Sequence, residues 1–224
     1  SSLRRLDRSK WLFRRLRAPT EEDQALTRDR PSTRAAPTRL RRSATRGSKG
    51  SHRVKDIVIF SGSAHQTFAN QICEHLGTRV SPVRLSRFSN DCLQAQLLTN
   101  VRQRDVYIIQ PLVPRTQEHL MELLLMIDAA RGASAAQITA VIPHYSYARS
   151  DKKDASRISL GGRRVADLLV TAGVSRVLTM QLHSPQVQGF FSCPVDQLTA
   201  LGVLADHFRA TDLSNGVVVS PDLG

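Results

Sequence analysis

An α/β domain behind a basic, disordered tail is the fold class that three observations predict. From Val54 onward, short buried-type strands and amphipathic helices alternate at the spacing of βαβ units. Residues 1–55 lack that pattern: they are rich in Arg, Ser, Thr and Pro, with only Trp11-Leu12-Phe13 to bury. Charge divides the chain at the same place. The tail holds 17 Lys+Arg against five Asp+Glu, a net of +12, and residues 56–224 hold 15 against 14. The formal +13 of the whole chain therefore describes the tail, and the folded part is not expected to bind nucleic acid through bulk charge.

The elements follow in order. Ile57-Val58-Ile59-Phe60 is a short strand closed by the turn residues Ser61-Gly62-Ser63. Phe68, Ile72 and Leu76 recur at helical spacing, with Gly77 as the stop. Val80 to Phe88 alternates loosely as a strand, Ser89-Asn90-Asp91 turns the chain, and Cys92 to Leu98 returns as a hairpin arm. Val106 to Gln110 is a strand, followed by Pro111 and Pro114. Glu118 to Ala130 is a helix whose apolar side is Leu120, Leu123, Leu124 and Ile127, widened by Met121 and Leu125 and ended by Gly132.

Ile138 to Ile142 is the next strand. Val165, Leu168, Leu169 and Ala172 then sit at helical spacing, with Ser159 as N-cap and Gly173 as stop. Val177 to Met180 is a strand, Leu198 to Phe208 a helix, and Val217 to Val219 the last strand. These bounds place a tail at 1–55, the α/β domain at 56–210, and the opening of a second, uncompleted domain at 211–224. The missing initiator Met predicts an incomplete amino end as well.

Cys73, Cys92 and Cys193 are odd in number and far apart, which predicts reduced thiols in a cytoplasmic setting. No run of about 18 apolar residues occurs, so no membrane span is expected. The tail has three competing uses. It reads as an organelle transit peptide, against which Glu21-Glu22-Asp23 argues; as a basic arm for RNA or acidic surfaces; or as a dispensable extension. It lacks the interleaved aromatics of a base-stacking platform.

Open α/β sheets take ligands at the carboxyl ends of their strands. Two loops there are chemically distinctive. Arg149 to Arg157 packs four cations and two carboxylates into nine residues just before a helix, which suits phosphate binding by charge and helix dipole together. The competing reading is a solvated loop whose charges cancel in pairs. His183 lies just past a strand in Gln181-Leu182-His183, and Asp222 just past another. One imidazole by itself makes no metal site, but with an Asp222 oxygen at the same sheet edge, oxygen-rich coordination with open positions suits Mg²⁺ held jointly with substrate phosphates. A Walker-type GxxxxGK[ST] site, a Gly-x-Ser-x-Gly elbow and a His-Glu-x-x-His helix are all absent.

Ordered segments of residues 56–224 carry a specific resemblance. They include Phe60-Ser61-Gly62-Ser63, Arg87-Phe88-Ser89-Asn90, Asp105-Val106-Tyr107-Ile108-Ile109-Gln110 and His119-Leu120-Met121-Glu122-Leu123-Leu124. Tyr147-Ala148-Arg149-Ser150-Asp151-Lys152-Lys153-Asp154 and the stretch Gln181 to Phe191, closing with Pro194-Val195-Asp196, follow. The chain resembles the amino-terminal half of the ribose-phosphate diphosphokinase (phosphoribosyl pyrophosphate synthetase) family.

That resemblance implies transfer of the diphosphoryl group of Mg·ATP to the 1-hydroxyl of ribose 5-phosphate, giving phosphoribosyl pyrophosphate and AMP for nucleotide biosynthesis. It implies a phosphoribosyltransferase-like, mostly parallel sheet flanked by helices, assembled into homo-oligomers, usually hexamers. By resemblance, Phe88 and Asn90 contact adenine across a subunit boundary, and Arg149, Ser150, Asp154 and Arg157 belong to the ATP-facing loop. His183 is then a magnesium ligand, and Asp222 lies beside ribose 5-phosphate and its metal.

The departures are also specific. Gln181 stands where the family has an Asp, which shifts metal placement toward Asp196 and the ATP phosphates. Cys92 stands where the family has an adenine-contacting Glu, and Ser150 where it has Gln. The catalytic basic loop and the ribose 5-phosphate loop are expected beyond Gly224. These departures set a non-catalytic, nucleotide-binding associated subunit beside the enzyme as the second expectation.

Overall fold

Five strands whose interiors are nearly all apolar make the centre of the protein. The computed structural model describes residues 57–209 together with Gly216, Val217, Val219 and Ser220. The basic tail, the opening of a second domain and Asp222 lie outside the described residues. So does Val218, while Val217 and Val219 are exposed and in irregular backbone.

The strands are β1 (Ile57–Ser61), β4 (Asp105–Ile109), β5 (Gln137–Ile142), β6 (Arg176–Met180) and β7 (Val195–Leu198). They form one parallel sheet in the order β1-β4-β5-β6-β7. An antiparallel hairpin of β2 (Val83–Arg87) and β3 (Leu93–Leu97) forms a separate two-stranded sheet. The helices are α1 (Gln66–His75), α2 (Thr116–Gly132), α3 (Gly161–Ala172) and α4 (Leu201–Phe208). The mostly parallel, helix-flanked architecture is the one the sequence predicts.

Side chains alternate across a strand, so each strand feeds two layers. Val58, Phe60, Val106, Ile108, Ile138, Ala140, Ile142 and Val177 face one layer, where Leu123, Met126 and Ile127 of α2 and Val165 and Leu169 of α3 close the larger core. Ile59, Ile109 and Val141 face the other, under Ala69 and Cys73 of α1. Each fully buried side chain of this size contributes about 1.5–3 kcal/mol. Burial also raises the pKa of the Cys73 thiol. The hairpin packs on α2, where Arg87 reaches Glu118 at 2.8 Å as well as Asp91.

Several elements differ from expectation. On α1 the small residues Ala69 and Cys73 are buried, Phe68 and Ile72 flank them, and Leu76 is exposed. Small side chains let that helix approach the sheet closely. On α2 the buried stripe runs through Met126 and Ala130, while Met121 is 47% exposed. Strand β2 begins at Val83 and not at Val80, after Pro82, which has no N–H to give a ladder.

Two corrections bear on the site. Leu198 belongs to strand β7 and not to a helix, because Val195–Leu198 pairs with Val177–Met180. The N-cap of α3 is Leu160 and not Ser159, and no side chain of that residue caps it. Ser150 takes over that work from eleven residues upstream, as described next. Among the described residues no helix is long and apolar enough to cross a membrane.

Candidate functional site

The carboxyl ends of β5 and β6 open into a cleft of about 420 Å³. After Ile142 the chain passes Pro143 and His144 into a single 3-10 turn, Ser146–Arg149. Tyr145 anchors that turn. It is 4% exposed, donates from its hydroxyl to the carbonyl of Gly162 at 2.8 Å, and meets Phe191 edge-on with ring centroids 5.8 Å apart. Burial, and secondarily the charge of Asp167, raise its phenol pKa well above the ordinary value. Ser146 donates to the carbonyl of Leu112, and Ala148 is buried. With its neighbours held, Arg149 is turned outward into the cleft, exposed and in no ion pair within the described residues.

The other wall is Met180 to His183. Leu182 is buried, so His183 on the opposite side of the chain is exposed to the cleft. Gln181 adopts a left-handed backbone at φ 49, an uncommon conformation for a residue with a side chain. Its N–H donates to the carbonyl of Leu198 at 2.9 Å. Its Oε1 accepts from the Thr199 hydroxyl and the Ala200 N–H, both at 3.2 Å. Thr199 in turn accepts from the N–H of Leu201 at 3.2 Å. The Gln181 amide oxygen thus serves the turn that starts α4.

The structure brings together Arg149, Gln181 and His183. It does not bring Asp196 to them. Asp196 is level with Leu178 in the β6–β7 ladder, and its carboxylate accepts from Arg176 at 2.6 Å. Phe88 and Asn90 lie apart on the β2–β3 turn, where Asn90 Oδ1 accepts from the N–H of Cys92 at 3.2 Å and Phe88 is half exposed. Cys92 lines a separate cavity of about 660 Å³ with Arg87, Arg115 and Glu118.

Asp154 and Arg157 are exposed on the loop after Ser150, Arg157 with φ 63, and neither lines the cleft. Ser150 also faces away from it. Its Oγ accepts from the N–H of Gly161 at 2.8 Å and donates to the carbonyl of Ser159 at 3.2 Å. Its carbonyl accepts from the N–H of Gly162 at 3.0 Å. Two amides at the amino end of α3 are therefore occupied within the fold. The charges of the loop do not cancel in pairs: no ion pair engages Asp151, Lys152, Lys153, Asp154 or Arg157 among the described residues.

Among the described residues no group of three or more His, Cys, Asp or Glu is arranged to hold a metal. Two imidazoles, His144 and His183, and no carboxylate line the cleft. Imidazoles without a carboxylate do not by themselves make a magnesium site among the described residues.

Sequence reasoning missed the second polar centre on this sheet edge. Glu122, 5% exposed, accepts from the Ser63 N–H at 3.1 Å, from the Ser63 hydroxyl, and from the Gln110 amide at 2.7 Å. Gln110 Oε1 accepts from the N–H of Ala64 at 3.2 Å, and a Cβ at Gly62 would overlap the Gln110 amide. The neighbouring His119 donates from Nδ1 to the carbonyl of Val113 at 3.2 Å. The signal was a carboxylate between Leu120 and Leu123 on an apolar helix face.

Residues 57–173 match the family described as the N-terminal domain of ribose phosphate pyrophosphokinase. The chain is 68% identical over 171 residues to a Streptomyces coelicolor protein whose name assigns it, provisionally, to ribose-phosphate pyrophosphokinase; the match covers 76% of this chain and 54% of that one. It is 52% identical over 170 residues to the ribose-phosphate pyrophosphokinase of Deinococcus radiodurans, covering 75% and 53%. The crystal structure of phosphoribosylpyrophosphate synthetase from Mycobacterium smegmatis superposes with a TM-score of 0.67 at 37% identity, over 70% of this chain and 52% of that one. The chain spans about half the length of the curated relatives it matches.

Proposed function

The chain belongs to the family of ribose phosphate pyrophosphokinase N-terminal domains, and from that premise we propose that it supplies the nucleotide-facing half of such an enzyme. The reaction is transfer of the diphosphoryl group of Mg·ATP to the 1-hydroxyl of ribose 5-phosphate, releasing AMP. The observation that carries this reading is the cleft in which the unpaired Arg149 faces His183 across the ends of β5 and β6. Diphosphoryl transfer needs cations on the phosphates and little covalent help from the protein.

Within this reading Arg149 holds phosphate oxygens, with Lys152, Lys153 and Arg157 near by on the following loop. His183 and Asp222 would hold the magnesium of Mg·ATP, which would offset the charge of the phosphates. Gln181 orients the edge through Thr199 and Ala200. The exposed Phe88 and Asn90, off the cleft on their hairpin, support a role toward the adenine bound by a neighbouring copy in a homo-oligomer. Three free cysteines support a reducing, cytoplasmic setting.

The test is formation of AMP and phosphoribosyl pyrophosphate from ATP and ribose 5-phosphate, together with ATP affinity measured by calorimetry. The expected result is ATP binding that requires magnesium and Arg149. Magnesium-dependent binding of ribose 5-phosphate without any affinity for ATP would overturn the assignment of this half to the nucleotide.

A further inference from the structure

The loop between Ser150 and Gly161 is tied at its neck and unpaired at its tip. At the neck, Ser150 Oγ bridges the N–H of Gly161 and the carbonyl of Ser159, at 2.8 and 3.2 Å. The Ser150 carbonyl accepts from the N–H of Gly162 at 3.0 Å, and the Gly162 carbonyl accepts from the buried Tyr145 hydroxyl at 2.8 Å. The closure leaves no room for larger residues. A Cβ at Gly161 would stand 3.1 Å from Ser150 Oγ, and one at Gly162 would stand 3.0 Å from the Tyr147 carbonyl. At the tip, Lys152, Lys153 and Arg157 are exposed with no ion pair among the described residues.

We infer that Ser150 is a positioning residue: it clamps the loop neck so that Lys152, Lys153 and Arg157 act with Arg149 as one arm for the polyphosphate of a nucleotide. The clamp rests on the reading of the adjoining cleft as a phosphate site. The physical reason is entropic. A loop whose ends are already closed has met most of its ordering cost before the ligand arrives. A hydroxyl that only faced the ligand would not bond across the neck of its own loop to both Ser159 and Gly161. Ser150 does not line the cleft; it acts through the cations it holds in place.

Inorganic tripolyphosphate and ATP are the two probes, titrated by calorimetry into the full chain at low salt. Ser150→Ala removes the hydroxyl without adding bulk. It is expected to weaken tripolyphosphate binding about fivefold to tenfold, and to speed hydrogen exchange at the Gly161 amide at least about tenfold. In a Lys152→Ala/Lys153→Ala/Arg157→Ala background the same change is expected to weaken binding less than about twofold, because the groups it positions are gone. Equal losses in both backgrounds would show a purely structural serine and overturn the inference. So would an unchanged affinity in Ser150→Ala, or unchanged exchange at Gly161. Wild-type protein that binds tripolyphosphate in this Ser150-dependent way but not ATP would overturn the nucleotide reading and leave the clamp standing.

Discussion

Two polar centres sit on the same edge of the sheet and meet opposite fates. At the ends of β1 and β4, Ser63, Gln110 and Glu122 satisfy one another in a buried junction. At the ends of β5 and β6, Arg149 and His183 face open space with no partner in the described residues. A sheet edge is thus not uniformly a ligand edge. Where α2 brings a carboxylate down onto the strand ends, the polar groups are used up in holding the fold. Where no such group is delivered, charge remains for a ligand.

Substituting across that contrast tests it, and Glu122→Ala has the largest expected effect. It strands the donors of Ser63 and Gln110 in a buried site, so stability in urea should fall by about 3–5 kcal/mol. ATP affinity of the protein that remains folded should hold. If stability barely moved and ATP binding vanished, the buried junction would be a binding centre and the contrast would collapse. Arg149→Ala is the mirror experiment. It should weaken ATP by about 1.5–3 kcal/mol, as expected for a charge-assisted phosphate contact, and leave the urea midpoint unchanged.

Gln181→Leu probes the one residue of the cleft that behaves like the buried junction. Loss of the acceptor for Thr199 and Ala200 should cost about 1 kcal/mol and appear as faster hydrogen exchange at the Ala200 amide. An unchanged exchange rate would return Gln181 to the ligand side of the contrast. Tyr145→Phe is the mildest change, about 1 kcal/mol or less at neutral pH, from the lost bond to Gly162. The folded phenol keeps its proton to higher pH than the unfolded one, so its contribution is intact below about pH 10 and drains away above it. Tyr145→Phe should therefore flatten the alkaline limb of the stability curve.

The strands β4 and β5 were legible because Val106 to Ile109 is a continuous apolar run and Ile138 to Ile142 is interrupted only by the β-branched Thr139. Strand β7 was not. Val195-Asp196-Gln197-Leu198 is four residues with two polar members, and it becomes a strand only because the edge of β6 is free to pair with it. Arg149 and His183 were legible as edge residues, since each follows a strand whose end the sequence marks. The commitments of their neighbours were not. Asp196 was expected at the metal by resemblance, and no local pattern shows that its carboxylate meets Arg176, twenty residues earlier. Ser159 looks like an N-cap until Ser150 is found doing that work.

By itself the sequence determined most of the strands and helices and which residues stand at the carboxyl ends of the central strands. Local periodicity carries that much, because burial repeats every two or 3.6 residues along the chain. Only the tertiary structure decided which polar groups remain available for chemistry. That depends on partners far away in the sequence: Glu122 for Ser63, Arg176 for Asp196, Thr199 and Ala200 for Gln181. A charge is left available here where folding brings it no partner among the described residues, and no local pattern records an absent partner.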